Sequence, residues 1–248
     1  MSSTPGETRE KSETQEKPAA RGVSSDARKF ELRTLLALTG FVAALLVFLI
    51  AAAAVAGGDT PAFDEWIMHA LREPRDLSNP IGPPWFEEAV RDVTALGSTV
   101  VLTFAVVVAA GYLWMTDAPA KAAFLIAAVS MGALFNRLLK FGFARPRPEM
   151  AAHAPWITTE SFPSGHTANS AIIYLTLGMM LARVESSYPV KLFIFGVCVV
   201  VTLIVGMSRV YLGVHWPTDV VAGWAVGACW ALLCWYALVW LQPSGARE

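Results

Sequence analysis

The sequence predicts an all-α integral membrane bundle of six transmembrane helices. Three observations carry this. The chain of 248 residues is 55% hydrophobic and only 16% charged, more apolar than a soluble domain. Its charges crowd the N-terminal stretch and a few short loops, leaving long segments with almost none. Those segments recur at lengths that approach or reach a bilayer crossing. The formal net charge of −1 provides no basic footprint, so no nucleic-acid partner is expected. Cys198, Cys229 and Cys234 lie inside apolar runs without metal-ligand spacing and read as packed thiols.

Residues 1–30 are rich in Ser, Thr, Glu, Lys and Pro and read as a disordered cytoplasmic tail. Residues 31–242 form the six-span domain. The first apolar run covers 35–56. Its small-residue end resembles a signal-peptidase site, but the run is longer than a signal h-region, so a retained helix is expected. Residues 57–97 form a longer polar connection. Within it Phe63, Trp66, Ile67, Ala70 and Leu71 follow helical spacing, with Asp64, Glu65 and Arg72 opposite. The spacing predicts an amphipathic helix near 62–72, lying in the interface and either packing on the bundle or shaping a lipid entrance. Pro80, Pro83 and Pro84 then break the chain.

The second span is expected at 99–114 and the third at 120–139, antiparallel because the connector is very short. A polar loop covers 140–164. The fourth, fifth and sixth spans are expected at 167–181, 192–207 and 220–241. Arg21, Arg28, Lys29 and Arg33 flank the first span, so both termini are expected in the cytoplasm. Lys121, Arg183, Lys191 and Arg247 then fall on the same side. The loops left outside still carry Lys140, Arg145, Arg147 and Arg209. Cations on the side that the rule disfavours suit the binding of an anion.

Three polar islands share that outer side: 140–148, 161–167 and 208–219. In the third, His215 and Asp219 stand four residues apart, one helical turn. Pro217 suits the first turn of a new helix. Asp219 can therefore accept a hydrogen bond from one imidazole nitrogen and leave the other free to attack. In the second, a Ser-Gly turn leads into a helix, whose N-terminus offers unpaired N–H groups and a positive dipole end. Lys140, Arg147 and Arg209 would neutralise phosphate oxygens, with Ser164 and Gly165 adding donors. His166 is placed to protonate a leaving oxygen. No carboxylate cluster offers a magnesium site and two histidines make a poor zinc site, so no metal or other cofactor is expected.

These islands resemble the signature motifs of the type-2 phosphatidic acid phosphatase family, the lipid phosphate phosphatases. Lys140, six residues and Arg147-Pro148 match the first motif. Pro163-Ser164-Gly165-His166 match the second. Ser208-Arg209, His215 and Asp219 match the third. All three stand in order without gaps, and the resemblance covers about 35–241. It implies His215 as nucleophile, Asp219 as the residue that orients it and His166 as general acid. It also implies Lys140, Arg147, Arg209, Ser164 and Gly165 as the phosphate cradle, metal-free chemistry and a site facing away from the cytoplasm. The Ala-rich, short-loop chain looks bacterial.

The expected activity is hydrolysis of a lipid phosphomonoester or pyrophosphate through phosphohistidine, the partners being that substrate and the membrane lipids. Undecaprenyl pyrophosphate is favoured because the site faces outward, with phosphatidylglycerophosphate and phosphatidic acid as further candidates. A lipid phosphotransferase would use the same phosphohistidine step, and a non-catalytic lipid-phosphate binder or transporter would keep the cations alone. Arg145 lies outside the motif positions and admits either a binding role or a place in the loop. His153 reads as solvated, His69 as interfacial, Trp114 and Trp240 as interface anchors and Trp216 as packing. Phe162 shapes the second-motif turn. Asn136 and Arg137, one turn before Lys140, read as support for the site, or Arg137 as a snorkelling side chain.

Overall fold

The computed structural model describes residues 25–149 and 159–240. Most of the expected tail, together with His153 and Arg247, lies outside them. Helix α1, Ser25–Gly57, starts within the stretch read as tail. It ends at Gly57, where Gly58 takes a positive φ of 76°. Gly58 N–H then bonds Val55 C=O and Asp59 N–H bonds Ala54 C=O, so a left-handed glycine satisfies the last carbonyls. Helix α2, Pro61–Ala70, leads to a two-stranded ribbon, β1 (Arg72–Glu73) and β2 (Asp76–Pro80). Helices α3 (Pro84–Ala95) and α4 (Thr99–Met115) follow. The bundle continues with α5 (Pro119–Phe143), α6 (Gly165–Val184), α7 (Tyr188–Tyr211) and α8 (Pro217–Trp240). Prolines open α2, α3, α5 and α8, where a missing N–H costs nothing.

Helices α1, α5, α6, α7 and α8 are each long and apolar enough to cross a membrane. The sixth crossing needs α3 and α4 together, bent by 46° at their junction. Helix α4 alone has 17 residues, about 25 Å at 1.5 Å per residue, short of a hydrocarbon core of ~30 Å. The sequence reading missed α3 because it took Pro83 and Pro84 as a break, whereas they form the N-cap and first turn of a helix. The first and third motif islands also begin on helices rather than in loops. Lys140 stands in the last turn of α5, and Ser208 and Arg209 stand in the last turn of α7.

The central pair is α6 and α8, with α7 on α6 and α1 on α8. Two glycines on α8 allow this approach. A Cβ at Gly227 would collide with the Ala171 Cβ of α6, and one at Gly223 would lie 2.9 Å from the Thr167 Cβ and 3.1 Å from the Ser164 carbonyl oxygen. Their four-residue spacing brings two backbones close over one face, a contact that suits helices with no hydrophobic drive between them in lipid. Indole donors add polar ties: Trp224 Nε1 donates to the Thr202 carbonyl at 3.0 Å and Trp230 Nε1 to the Ala128 carbonyl at 2.9 Å. Leu102, Val106, Leu125 and Ile172 fill the α4–α5–α6 side. Large apolar side chains stay exposed along α1, α4, α5 and α7, as lipid-facing surfaces require.

Helix α2 divides its apolar residues: Ile67, with Leu71 just past the helix, packs beside the buried Met68, Val210 and Val220. Phe63 and Trp66 are exposed, while Asp64 and Met68 are buried. Periodicity shows that a helix has two faces, but not which one meets a partner. Here the partner is a cation, Arg145, whose Nη2 lies 2.6 Å from Asp64 Oδ2.

Candidate active site

The site gathers at the ends of α5, α6, α7 and α8. Trp216 is the residue before α8 and Asp219 lies in its first turn. The Trp216 N–H donates to Asp219 Oδ2 at 3.0 Å, and the Asp219 N–H returns a bond to the Trp216 carbonyl. This reciprocal cap holds the carboxylate at the helix start, where the positive dipole end favours it. His215, one residue further out, is buried with its Nδ1 3.4 Å from Asp219 Oδ2. Ser161 Oγ donates to the same oxygen at 2.5 Å and lies 3.3 Å from His215 Nδ1.

The other imidazole nitrogen meets a cation. Arg147 Nη1 lies 3.0 Å from His215 Nε2. A guanidinium has donors only, so Nε2 must present its lone pair, and the ring proton belongs on Nδ1 facing Asp219. That is the tautomer a nucleophilic imidazole needs. Arg147 is itself held by the Val214 carbonyl at 2.8 Å and the Thr159 carbonyl at 2.9 Å. Burial lowers its pKa, but an arginine remains charged across the ordinary pH range.

Burial pushes the His215 imidazole down to about 3; the Asp219 hydrogen bond and charge oppose this, and the Arg147 and Arg209 charges reinforce it. The ring is therefore neutral in the fold. Between that value and the unfolded value of 6.5, the unfolded chain holds a proton that the folded chain lacks, so stability falls as pH falls through the window. The melting midpoint in detergent is expected to drop between about pH 6.5 and pH 4.5, and His215→Gln to flatten that drop. Parallel curves for the two proteins would mean the folded ring is charged.

Two further cations border the histidines. Lys140 Nζ donates to the Glu160 carbonyl at 2.8 Å. Arg209 is buried; its Nη1 donates to Thr94 Oγ1 at 3.0 Å, while its Nε has no partner among the described residues. A buried orphan donor on a cation is costly, and an anion is the natural acceptor. His166, in the first turn of α6, lies within electrostatic reach of Arg209, Arg147 and Lys140. Gly97, at the α3–α4 bend, backs it: a Cβ there would stand 3.3 Å from the His166 Cβ. One expected donor is committed elsewhere, because the Ser164 N–H bonds the Asp219 carbonyl at 3.0 Å. The Ser164 hydroxyl accepts from Thr167 Oγ1 at 2.9 Å, so its own proton stays available beside the Gly165 N–H.

Several participants escaped the sequence reading. Arg145, for which a binding role and a place in the loop both stood open, sits in the loop after α5 and acts as a bridge, donating to Thr60, Asp64, Thr218 and Asp219 at 2.6–2.7 Å. Ser161 was inside the second island but carried no assigned role. Asp64, Thr60 and Thr94 lie in the connection before α4, and no local pattern ties them to the motifs. Of the supporting residues, Asn136 Nδ2 donates to Asn169 Oδ1 at 3.3 Å, and Arg137 and His69 are exposed. Trp216 lies under Arg145, 5.5 Å from its guanidinium carbon. Phe162 is buried between Phe48 and Phe143. Trp114 and Trp240 are exposed at the helix ends. Among the described residues no group of three His, Cys, Asp or Glu side chains is placed to share a metal ion.

A sequence profile described as the PAP2 superfamily matches residues 121–243. Phosphatidylglycerophosphatase B of Bacillus subtilis (strain 168) is 32% identical over 190 residues, covering 75% of this chain and 88% of that protein. An undecaprenyl-diphosphatase of Sulfolobus acidocaldarius is 37% identical over 92 residues, 37% of this chain and 39% of that one. The crystal structure of a transmembrane PAP2-type phosphatidylglycerolphosphate phosphatase from Bacillus subtilis superposes with a TM-score of 0.71 at 28% identity, covering 82% of this chain and 98% of that chain.

Proposed function

This chain belongs to the PAP2 superfamily of multi-pass membrane phosphatases, and we propose that it hydrolyses a lipid phosphate through a phosphohistidine formed on His215. The observation that carries the reading is the pair of contacts on the ring, Asp219 at Nδ1 and Arg147 at Nε2. The Nε2 lone pair attacks phosphorus and forms the P–N bond. The P–O bond to the lipid breaks, and His166 gives its proton to the leaving oxygen. Asp219 accepts the Nδ1–H bond and stabilises the positive ring. Water then attacks phosphorus, His166 takes its proton, and the P–N bond breaks to release phosphate. Arg147, Arg209 and Lys140 hold the phosphoryl oxygens as charge spreads over them, with donors from Ser164 and Gly165.

Phosphatidylglycerophosphate is the first substrate to test, because the relative bearing that activity in its name is covered over 88% of its length. Undecaprenyl pyrophosphate is the second; the outward-facing site favours it, and one relative is named for it. Both termini are placed in the cytoplasm and the site on the opposite side, since the basic residues around α1 then lie inside. The test is phosphate release in detergent from phosphatidylglycerophosphate, undecaprenyl pyrophosphate, phosphatidic acid and a sugar phosphate, with chelator present. Release from a lipid, undiminished by chelator, is expected. Release that chelator abolishes and added metal restores would overturn the metal-free mechanism. Transfer of phosphate to an added acceptor without release would make the protein a phosphotransferase.

A further inference from the structure

Two carboxylates at this site are fully buried, Asp219 and Asp64, and only the first belongs to a motif. A buried ionised carboxylate must be paired. One guanidinium serves both: Arg145 Nη1 lies 2.7 Å from Asp219 Oδ1, and its Nη2 lies 2.6 Å from Asp64 Oδ2. Asp64 also accepts the Thr218 N–H at 3.0 Å and the Thr218 hydroxyl at 2.7 Å. It thereby satisfies a first-turn donor of α8, one residue before Asp219. The arrangement has a charge consequence. The two carboxylates and one guanidinium leave a net negative charge on the Nδ1 side of His215, opposite the Arg147 cation at Nε2. Without Asp64, Arg145 would neutralise Asp219 alone.

We infer that Asp64 is a positioning residue for the nucleophile: through the Arg145 bridge and the Thr218 cap it fixes the orientation and net charge of Asp219, and so the reactivity of His215. The inference rests on the phosphohistidine reading above. As the P–N bond forms, the ring becomes positive, and a preorganised negative charge in a buried site stabilises it most at that moment. Asp64 and Arg145 do not belong to the phosphate cradle, so they act on turnover and not on substrate affinity. The exposed apolar face of α2 and its buried Asp64 give this helix two tasks, contact with lipid and support of the catalytic pair.

The experiment compares Asp64→Asn, Arg145→Gln and the double variant with wild type, using short-chain lipid phosphate in detergent and the monodisperse fraction of each protein. Asp64→Asn retains the shape and an acceptor for Thr218 while removing the charge. Each single variant is expected to lose at least tenfold in kcat with KM within threefold. The double variant is expected to fall no further than the worse single, because the two residues act as one unit. A loss under fivefold in either folded single variant overturns the inference, as does a double loss equal to the product of the single losses. If one single variant does not fold, the other decides. His215→Ala runs alongside. Wild-type turnover in that variant would remove the underlying reading; its inactivity beside an unaffected Asp64→Asn would remove this inference alone.

Discussion

His215→Ala is expected to lower kcat by a factor on the order of 10⁴ or more, the scale seen when a covalent nucleophile is removed. The expectation is specific because the fold does not depend on this side chain. Asp219 keeps Arg145, Ser161 and the Trp216 N–H when the imidazole is gone. Arg147 keeps the Val214 and Thr159 carbonyls. The cradle should therefore survive, and KM should change much less than kcat. Brief reaction of wild type with labelled lipid phosphate, followed by a denaturing quench, should trap a phosphoprotein that is labile to acid and stable to base, as a P–N bond is. The label should be missing from His215→Ala. Phosphate release by the variant within tenfold of wild type, or a wild-type phosphoprotein with the opposite lability, would end the phosphohistidine mechanism.

Asp219→Asn is expected to cost about 10² to 10⁴ in kcat. Both carboxylate oxygens face donors: Arg145 at Oδ1, and Ser161, Trp216 N–H and His215 at Oδ2. An amide can accept on one side only. With its NH₂ toward Arg145 it meets another set of donors at close range. Reversed, it faces His215 Nδ1 and selects the tautomer with the proton on Nε2, which blocks attack. The first arrangement removes the negative charge that stabilises the ring, the second removes the attacking lone pair, and both keep the packing volume. Measurement of kcat on the monodisperse variant, with its melting midpoint beside it, checks this. A folded Asp219→Asn within tenfold of wild-type kcat would show that the carboxylate does not orient the ring.

The motif residues were legible because their geometry is local. His215 and Asp219 stand one turn apart whichever helix carries them, and Pro217 marks where that helix starts. Composition and apolar run length likewise announced the membrane bundle. Asp64 was not legible. Its partners Arg145 and Thr218 are 81 and 154 residues away in the chain, and an amphipathic pattern assigns its polar face to solvent when no partner is visible. The α3–α4 bend was hidden for another reason: a Pro-Pro pair reads as a break and as a helix start with equal local logic. Thr94 follows from that bend, because only the tilted α3 brings its hydroxyl to Arg209.

The protein's solvent, its helices and the order of its chemical groups were therefore readable along the chain. Each depends on hydropathy or spacing within one or two turns. Which buried charges face each other, and hence the state of the reacting atom, is set when the helices pack. Asp64 and Asp219 share Arg145, and the Arg147 cation faces Nε2. The energy of a buried charge depends on its neighbours within a few ångströms in space, and at this site those neighbours come from opposite ends of the chain.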